Sequence, residues 1–151
     1  MTLAVIDQIA DAVVLGLNAA AFSQAITAVA VDMPELDLKT AGVVVQVMTH
    51  DYELDLADRG GSIVQGHNVW VLVAKKLTKV DKANRESGAY RTEIREMKRL
   101  VEEIAESFLG NRLTDYTSAL CLTAKVSPLY DEDELVIKAK FVSPILLGFK
   151  V

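Results

Sequence analysis

The chain of 151 residues has one cysteine, three prolines and two histidines, and each scarcity narrows the chemistry open to it. Cys121 stands alone in the apolar run ALCLTAKV. It can form no disulfide within the chain and cannot assemble a cysteine-based metal site, so it reads as a small buried hydrophobe. TLAVIDQIADAVVLGLNAAA, near the N-terminus, lacks a basic leader, and Asp7 and Asp11 break it at helical spacing, so neither a signal peptide nor a membrane span is expected there. Basic residues are scarce over the first half, and the net charge of −5 argues against general affinity for nucleic acid over the whole surface.

Nucleotide and hydrolase signatures are missing as well. Arg59-Gly60-Gly61-Ser62 has neither the GxxxxGK[ST] nor the GxGxxG spacing that brings backbone amides around a phosphate at a helix N-terminus, and a strand pattern follows it rather than a helix. Ser62 is followed by Ile63 and Val64, without the second glycine of a GxSxG nucleophile elbow. Asp51, Glu53, Asp55 and Asp58 alternate like calcium-loop ligands. However, Leu56 occupies the position of the sharp-turn glycine and Ser62 that of the bidentate glutamate, so a solvated acidic loop is the simpler reading. His50 and His67 are the only imidazoles available to a metal-dependent enzyme, and they would have to meet one of these acids across adjacent strands. The acids at 131–134 cannot all converge on one ion and read as a solvated turn. No catalytic set and no cofactor are expected.

What is present is the balance of a folded chain, 51% hydrophobic and 25% charged, of a length that suits one domain over residues 1–151. Leu3, Ile6, Ala10, Val13, Leu17 and Ala21 recur at steps of three and four and predict an amphipathic helix over 3–20. After β-compatible residues 22–31 and a loop at DMPELDLKTAG, GVVVQVMTH predicts a strand. DYELDLADRGGSIVQG is expected to be a long connection leading to a second strand, HNVWVLVAKKL. In that strand Val69, Val71 and Val73 alternate with Trp70, Leu72 and Ala74, so both faces are apolar and the second needs a helix or another subunit to cover it. TKVDKANRESGAY is expected to be a mobile polar connection. Ile94, Met97, Val101, Ile104 and Phe108 predict a helix over 90–109 that stops at Gly110, with Lys98–Glu102 and Arg99–Glu103 at i,i+4. ALCLTAKV and FVSPILLGFKV predict two closing strands. Phe141, Ser143, Ile145, Leu147 and Phe149 share one face of the last, and Pro144 suggests an edge or a bulge. The expected fold class is α+β, a mostly antiparallel sheet packed by two amphipathic helices.

Charge is segregated. Residues 1–74 hold two basic and nine acidic side chains, whereas 75–99 hold nine basic and four acidic ones. Two functions fit this separation. The basic segment, through Lys75, Lys76, Lys79, Lys82, Arg85, Arg91 and Arg95, could contact nucleic acid, although Tyr90 is the only aromatic interleaved with it. Equally, the basic face of one copy could meet the acidic face of the next in a heterologous contact that closes into a ring.

The order of elements also resembles a known family. A helix, a DMPELDL-type loop, a β-branched strand, an acidic loop ending in Arg59, the strand VWVLVAKKL, a second amphipathic helix and the closing YDEDEL…FVSPILLGFKV are similar to the bacteriophage tail-terminator and neck (head-tail joining) proteins over nearly the whole chain. The alanine-rich stretch 19–30 departs from that pattern. The resemblance implies a non-enzymatic virion protein, assembled in the host cytoplasm into a ring, typically a hexamer, at the tail end or head–tail junction. Such a ring ends tail-tube growth and docks to head-completion proteins, and genomic DNA passes through its lumen without sequence-specific binding or any membrane partner. It further implies interface roles for Arg59, before the central strand, and for Lys75 and Lys76 at its basic end. Trp70, Lys79, Lys82 and Arg85 complete the expected interface.

Overall fold

The computed structural model describes residues 3–33, 42–56, 60, 63–79, 81–127 and 139–151, with the side chains of 63–65 outside that description. The elements run α1 (Val5–Ala19), β1 (Ala28–Ala30), β2 (Val43–Leu56), β3 (Ile63–Lys76), α2 (Lys82–Ser87), α3 (Ala89–Phe108), β4 (Leu120–Val126) and β5 (Lys140–Lys150). The five strands form one sheet in the order β1-β2-β3-β5-β4, antiparallel except where β1 pairs in parallel with β2. The fold is α+β, as the sequence patterns indicate.

The core lies on one side of the sheet. Val45 and Val47 of β2, Val69, Val71 and Val73 of β3, and Phe141, Ile145, Leu147 and Phe149 of β5 all point to it. Above them lie Ile9, Val13 and Leu17 of α1 and Met97, Leu100, Val101 and Ile104 of α3. Full burial of each such side chain stabilises the fold by roughly 1.5–3 kcal/mol. The two helices meet where Gly16 faces the Phe108 ring. They are tied to each other and to the sheet by polar contacts. Asn18 grips Ala28, accepting from its amide at 2.7 Å and donating to its carbonyl at 3.0 Å, which sets the start of β1. The Ser23 amide donates to Glu103 of α3 at 2.9 Å, and Arg99 donates to the same carboxylate at 3.2 Å, forming one of the two expected i,i+4 pairs. Gly110, at φ 77°, turns the chain out of α3, and its amide donates to the Cys121 carbonyl at the head of β4. Cys121 is fully buried, and burial pushes its thiol up to about 11, against a weaker opposing effect of the Thr123 backbone.

Three expectations are corrected. The acidic stretch 51–56 is strand rather than loop: β2 continues to Leu56 and pairs with β3 from Ile63 onward. Its alternation of Asp51, Glu53 and Asp55 with Tyr52, Leu54 and Leu56 is a period-two pattern that the density of acids disguised. The connection 78–90 contains the short helix α2, capped at its start by Asp81, whose carboxylate accepts from the Asn84 amide at 2.7 Å, and closed by Gly88 at φ 84°. Pro144 lies in β5, an inner strand with β3 on one side and β4 on the other. The Pro144 carbonyl accepts from the Ser127 amide, just past the end of β4, so the missing N–H falls where that ladder is already ending.

Glu93, on the first turns of α3, is buried and organises the turn after β3. It accepts from the amides of Thr78 (3.0 Å) and Lys79 (3.0 Å) and from the Thr78 hydroxyl (3.2 Å), and Lys75 Nζ lies 3.5 Å away. Burial alone would raise its pKa, but the two amides, the Lys75 charge and the Thr78 hydroxyl together outweigh that and hold it below its usual 4.5. The folded chain therefore binds this proton less readily than the unfolded chain. Its contribution to stability is complete above about pH 4.5 and is lost as pH falls through the lower folded value. Glu93→Gln should cost about 1–3 kcal/mol in chemical denaturation at pH 7, and the deficit should shrink in acid below pH 4.5. In contrast, Ser143, fully buried with no hydrogen-bond partner for its hydroxyl among the described residues, should tolerate alanine at no cost or with a gain of up to about 1 kcal/mol in the same assay.

Candidate interaction surfaces

Strand alternation places a second set of side chains on the sheet face away from α1 and α3: Val44, Gln46 and Met48 of β2, Trp70, Leu72 and Ala74 of β3, and Val142, Pro144 and Leu146 of β5. Leu72, Ala74 and Val142 form a small cluster with Val44 packed against it. Among the described residues the buried side chains of α1 and α3, Ile6 and Glu93 apart, join the core on the other side. Trp70 lies half-buried here, its ring 5.4 Å from His50. Of the two apolar faces of 69–74, one packs under α1 and α3, and on the other Leu72 and Ala74 are buried and Trp70 is half-buried.

The distal half of the β2–β3 hairpin is a second surface. Residues 49 to 56 are all exposed, and β2 gains one residue over β3 between Thr49 and Tyr52, a bulge at His50 and Asp51. Because one inserted residue inverts the alternation, Tyr52, Leu54 and Leu56 continue the helix-bearing side of the sheet, and the acids take the other side. Neither α1 nor α3 extends over them, and they stand 59%, 54% and 73% exposed. Tyr52 stacks on His67, whose centroid lies 5.5 Å away and whose pKa burial lowers. Asp51 accepts from Asn68 Nδ2 at 2.6 Å. Glu53 and Asp55 have no ion-pair partner among the described residues.

The third surface is basic. α2 and the N-terminal half of α3 enclose a cleft of about 660 Å³, with Arg85, Arg91, Arg95 and Lys98 around it and Tyr90, Ile94 and Phe141 beneath. The three arginines of this cleft have no ion-pair partner among the described residues. A smaller groove of about 300 Å³ continues along α3 past Lys98, between Val101 and Ala105 on one side and Phe141, Ser143 and Val126 on the other.

The expected interface residues do not converge. Arg59 lies outside the described residues. Trp70 is half-buried on the sheet face away from α1 and α3, and Lys75 is drawn inward to Glu93, with 20% of its side chain exposed. Lys76 is exposed at the end of β3 opposite Lys140, Lys79 is held through its amide, and Lys82 is 3.9 Å from Glu86. Of the seven, only Arg85 lines the basic cleft, beside Arg91 and Arg95. The spacing of Arg91, Arg95 and Lys98 at i, i+4 and i+7 was the signal for one helical face. His50 and His67 pair with different aromatic rings, and no group of three or more His, Cys, Asp or Glu among the described residues could hold a metal. The acids at 131–134 lie outside the described residues. No helix among those described is long and apolar enough to cross a membrane.

The virion of a native gene transfer agent particle contains a chain of similar fold: TM-score 0.50 at 16% identity, covering 99% of this chain and 96% of that one. No protein-family model and no curated protein matches the chain. At that identity the likeness establishes the fold.

If the arm is exposed in the isolated chain, polar substitution there should be nearly free. Leu54→Ser together with Leu56→Ser should change stability by no more than about 0.5 kcal/mol per site in denaturation of dilute protein, whereas Val71→Ala, fully buried, should cost over 1 kcal/mol.

Proposed function

We propose that this chain is a structural protein of a phage-like virion, one domain that assembles with copies of itself into a ring, a hexamer, at the tail end or head–tail junction. There it ends the tail tube and docks it to head-completion proteins. The observation that carries the reading is the exposed apolar stripe Tyr52, Leu54 and Leu56 on the β2–β3 arm, which the chain's own helices do not cover. Supporting it is the full-length likeness in fold to a chain of a gene transfer agent virion. A two-stranded arm gains little from its own pairing, and an exposed apolar stripe is characteristic of a surface that another subunit completes. No covalent chemistry is required of a residue in this role, and the charged surfaces would set orientation between neighbours. Genomic DNA would traverse the lumen without sequence-specific contact.

Light scattering coupled to size-exclusion chromatography, with negative-stain microscopy of the same fractions, should show closed particles several times the chain's 16.5 kDa. A strict monomer at high concentration that also fails to bind tail tubes would defeat the reading. The basic cleft supports a second function, nucleic-acid binding through residues 75–99. That reading requires binding to duplex DNA that falls steeply with salt and is lost on reversing Lys79, Lys82 and Arg85; no binding at low salt removes it.

A further inference from the structure

We propose that the exposed β2–β3 arm of one copy, residues 52 to 56, seats in the basic α2–α3 cleft of a second copy of this chain. The inference rests on the self-assembly reading above and identifies the two surfaces that meet.

Each surface lacks what the other offers. The arm presents Tyr52, Leu54 and Leu56 on one side and Glu53 and Asp55 on the other, and neither carboxylate has an ion-pair partner among the described residues. The cleft has Tyr90, Ile94 and Phe141 at its floor and Arg85, Arg91 and Arg95 at its rim; none of these arginines pairs with a carboxylate among the described residues, and Glu86, which also lines the cleft, lies 3.9 Å from Lys82. An arm laid with its apolar side on that floor directs its two carboxylates outward, where the long side chains of the rim arginines can reach up and donate to them. The dimensions agree. Residues 52 to 56 of a strand span about 13 Å, and Arg91 to Lys98 rise about 10 Å along the axis of α3. Binding would remove three large apolar side chains from water and give the marginal hairpin a third layer.

The two surfaces also belong to different parts of the chain and are not self-complementary. An arm-to-cleft contact is therefore heterologous: each copy offers an arm to one neighbour and a cleft to the other, the arrangement that closes into a ring when the rotation permits. Duplex DNA in the cleft is the competing occupant, and the test below separates the two.

The full chain is compared with Glu53→Lys plus Asp55→Lys, with Arg91→Glu plus Arg95→Glu, and with the combination of all four. All four residues are exposed, and melting curves verify that each variant is folded. Each pair of reversals should raise the concentration needed for self-association at least tenfold in sedimentation experiments. The fourfold variant should recover most of the loss, as should a mixture of the two reversed proteins, in which wild-type arms meet wild-type clefts and reversed arms meet reversed clefts. Particles unchanged by either reversal would overturn the contact while leaving ring assembly standing, and a monomeric wild type would overturn both. Loss of DNA binding with unchanged assembly in the Arg91/Arg95 variant would assign the cleft to nucleic acid instead and also overturn the contact.

Discussion

The structure depends on one constraint: the strands are apolar on both faces, and the helices cover only one. Val69, Val71 and Val73 turn towards α1 and α3, so Trp70, Leu72 and Ala74 must turn away. A sheet built from such strands cannot satisfy both faces with two helices that pack side by side. Asn18, Glu103 and the Gly16–Phe108 contact keep those helices together on the same face. The other surfaces follow. Since the helices share one side, the hairpin arm that extends beyond them carries its apolar stripe into solvent.

Charge is arranged around this exposed arm. The one basic group drawn into the fold among the described residues, Lys75, is paired with the buried Glu93. The arginines along the cleft have no such partner among the described residues, and neither have the carboxylates of the arm. Local ion pairs at a solvated surface contribute little to stability, so charges left without partners act mainly on what approaches the molecule. That favours recognition between copies as the origin of the segregation that the sequence displays between residues 1–74 and 75–99.

Much of the fold was legible because periodicity is a direct consequence of backbone geometry. The 3,4 spacing of Ile6 to Leu17 and of Ile94 to Phe108 placed α1 and α3, and the alternation of 69–74 and of Phe141 to Phe149 placed β3 and β5. The arm was misread because composition was weighed above period: six residues containing three acids look like a loop, although Tyr52, Leu54 and Leu56 alternate through them. Helix α2 was hidden for a different reason. Six residues cannot display an amphipathic period, and α2 exists through its Asp81 cap, the Gly88 turn and packing on α3. Of the expected interface residues, those chosen by charge alone scattered, because a run of basic residues in sequence is divided by the fold between a strand end, a turn and two helices.

By itself, then, the sequence determined which residues are apolar on which side of each strand and helix, the absence of any recognisable catalytic spacing, and the separation of charge along the chain. These are local properties, set by backbone period and side-chain type. Only the tertiary structure decided that both long helices lie on the same face, that the bulge at His50 and Asp51 turns Tyr52, Leu54 and Leu56 to the helix-bearing side, and that Arg85 of α2 joins Arg91 and Arg95 of α3 around one cleft. Those outcomes rest on contacts between residues distant in sequence, such as Ser23 with Glu103 and Thr78 with Glu93, whose pairing no local pattern encodes.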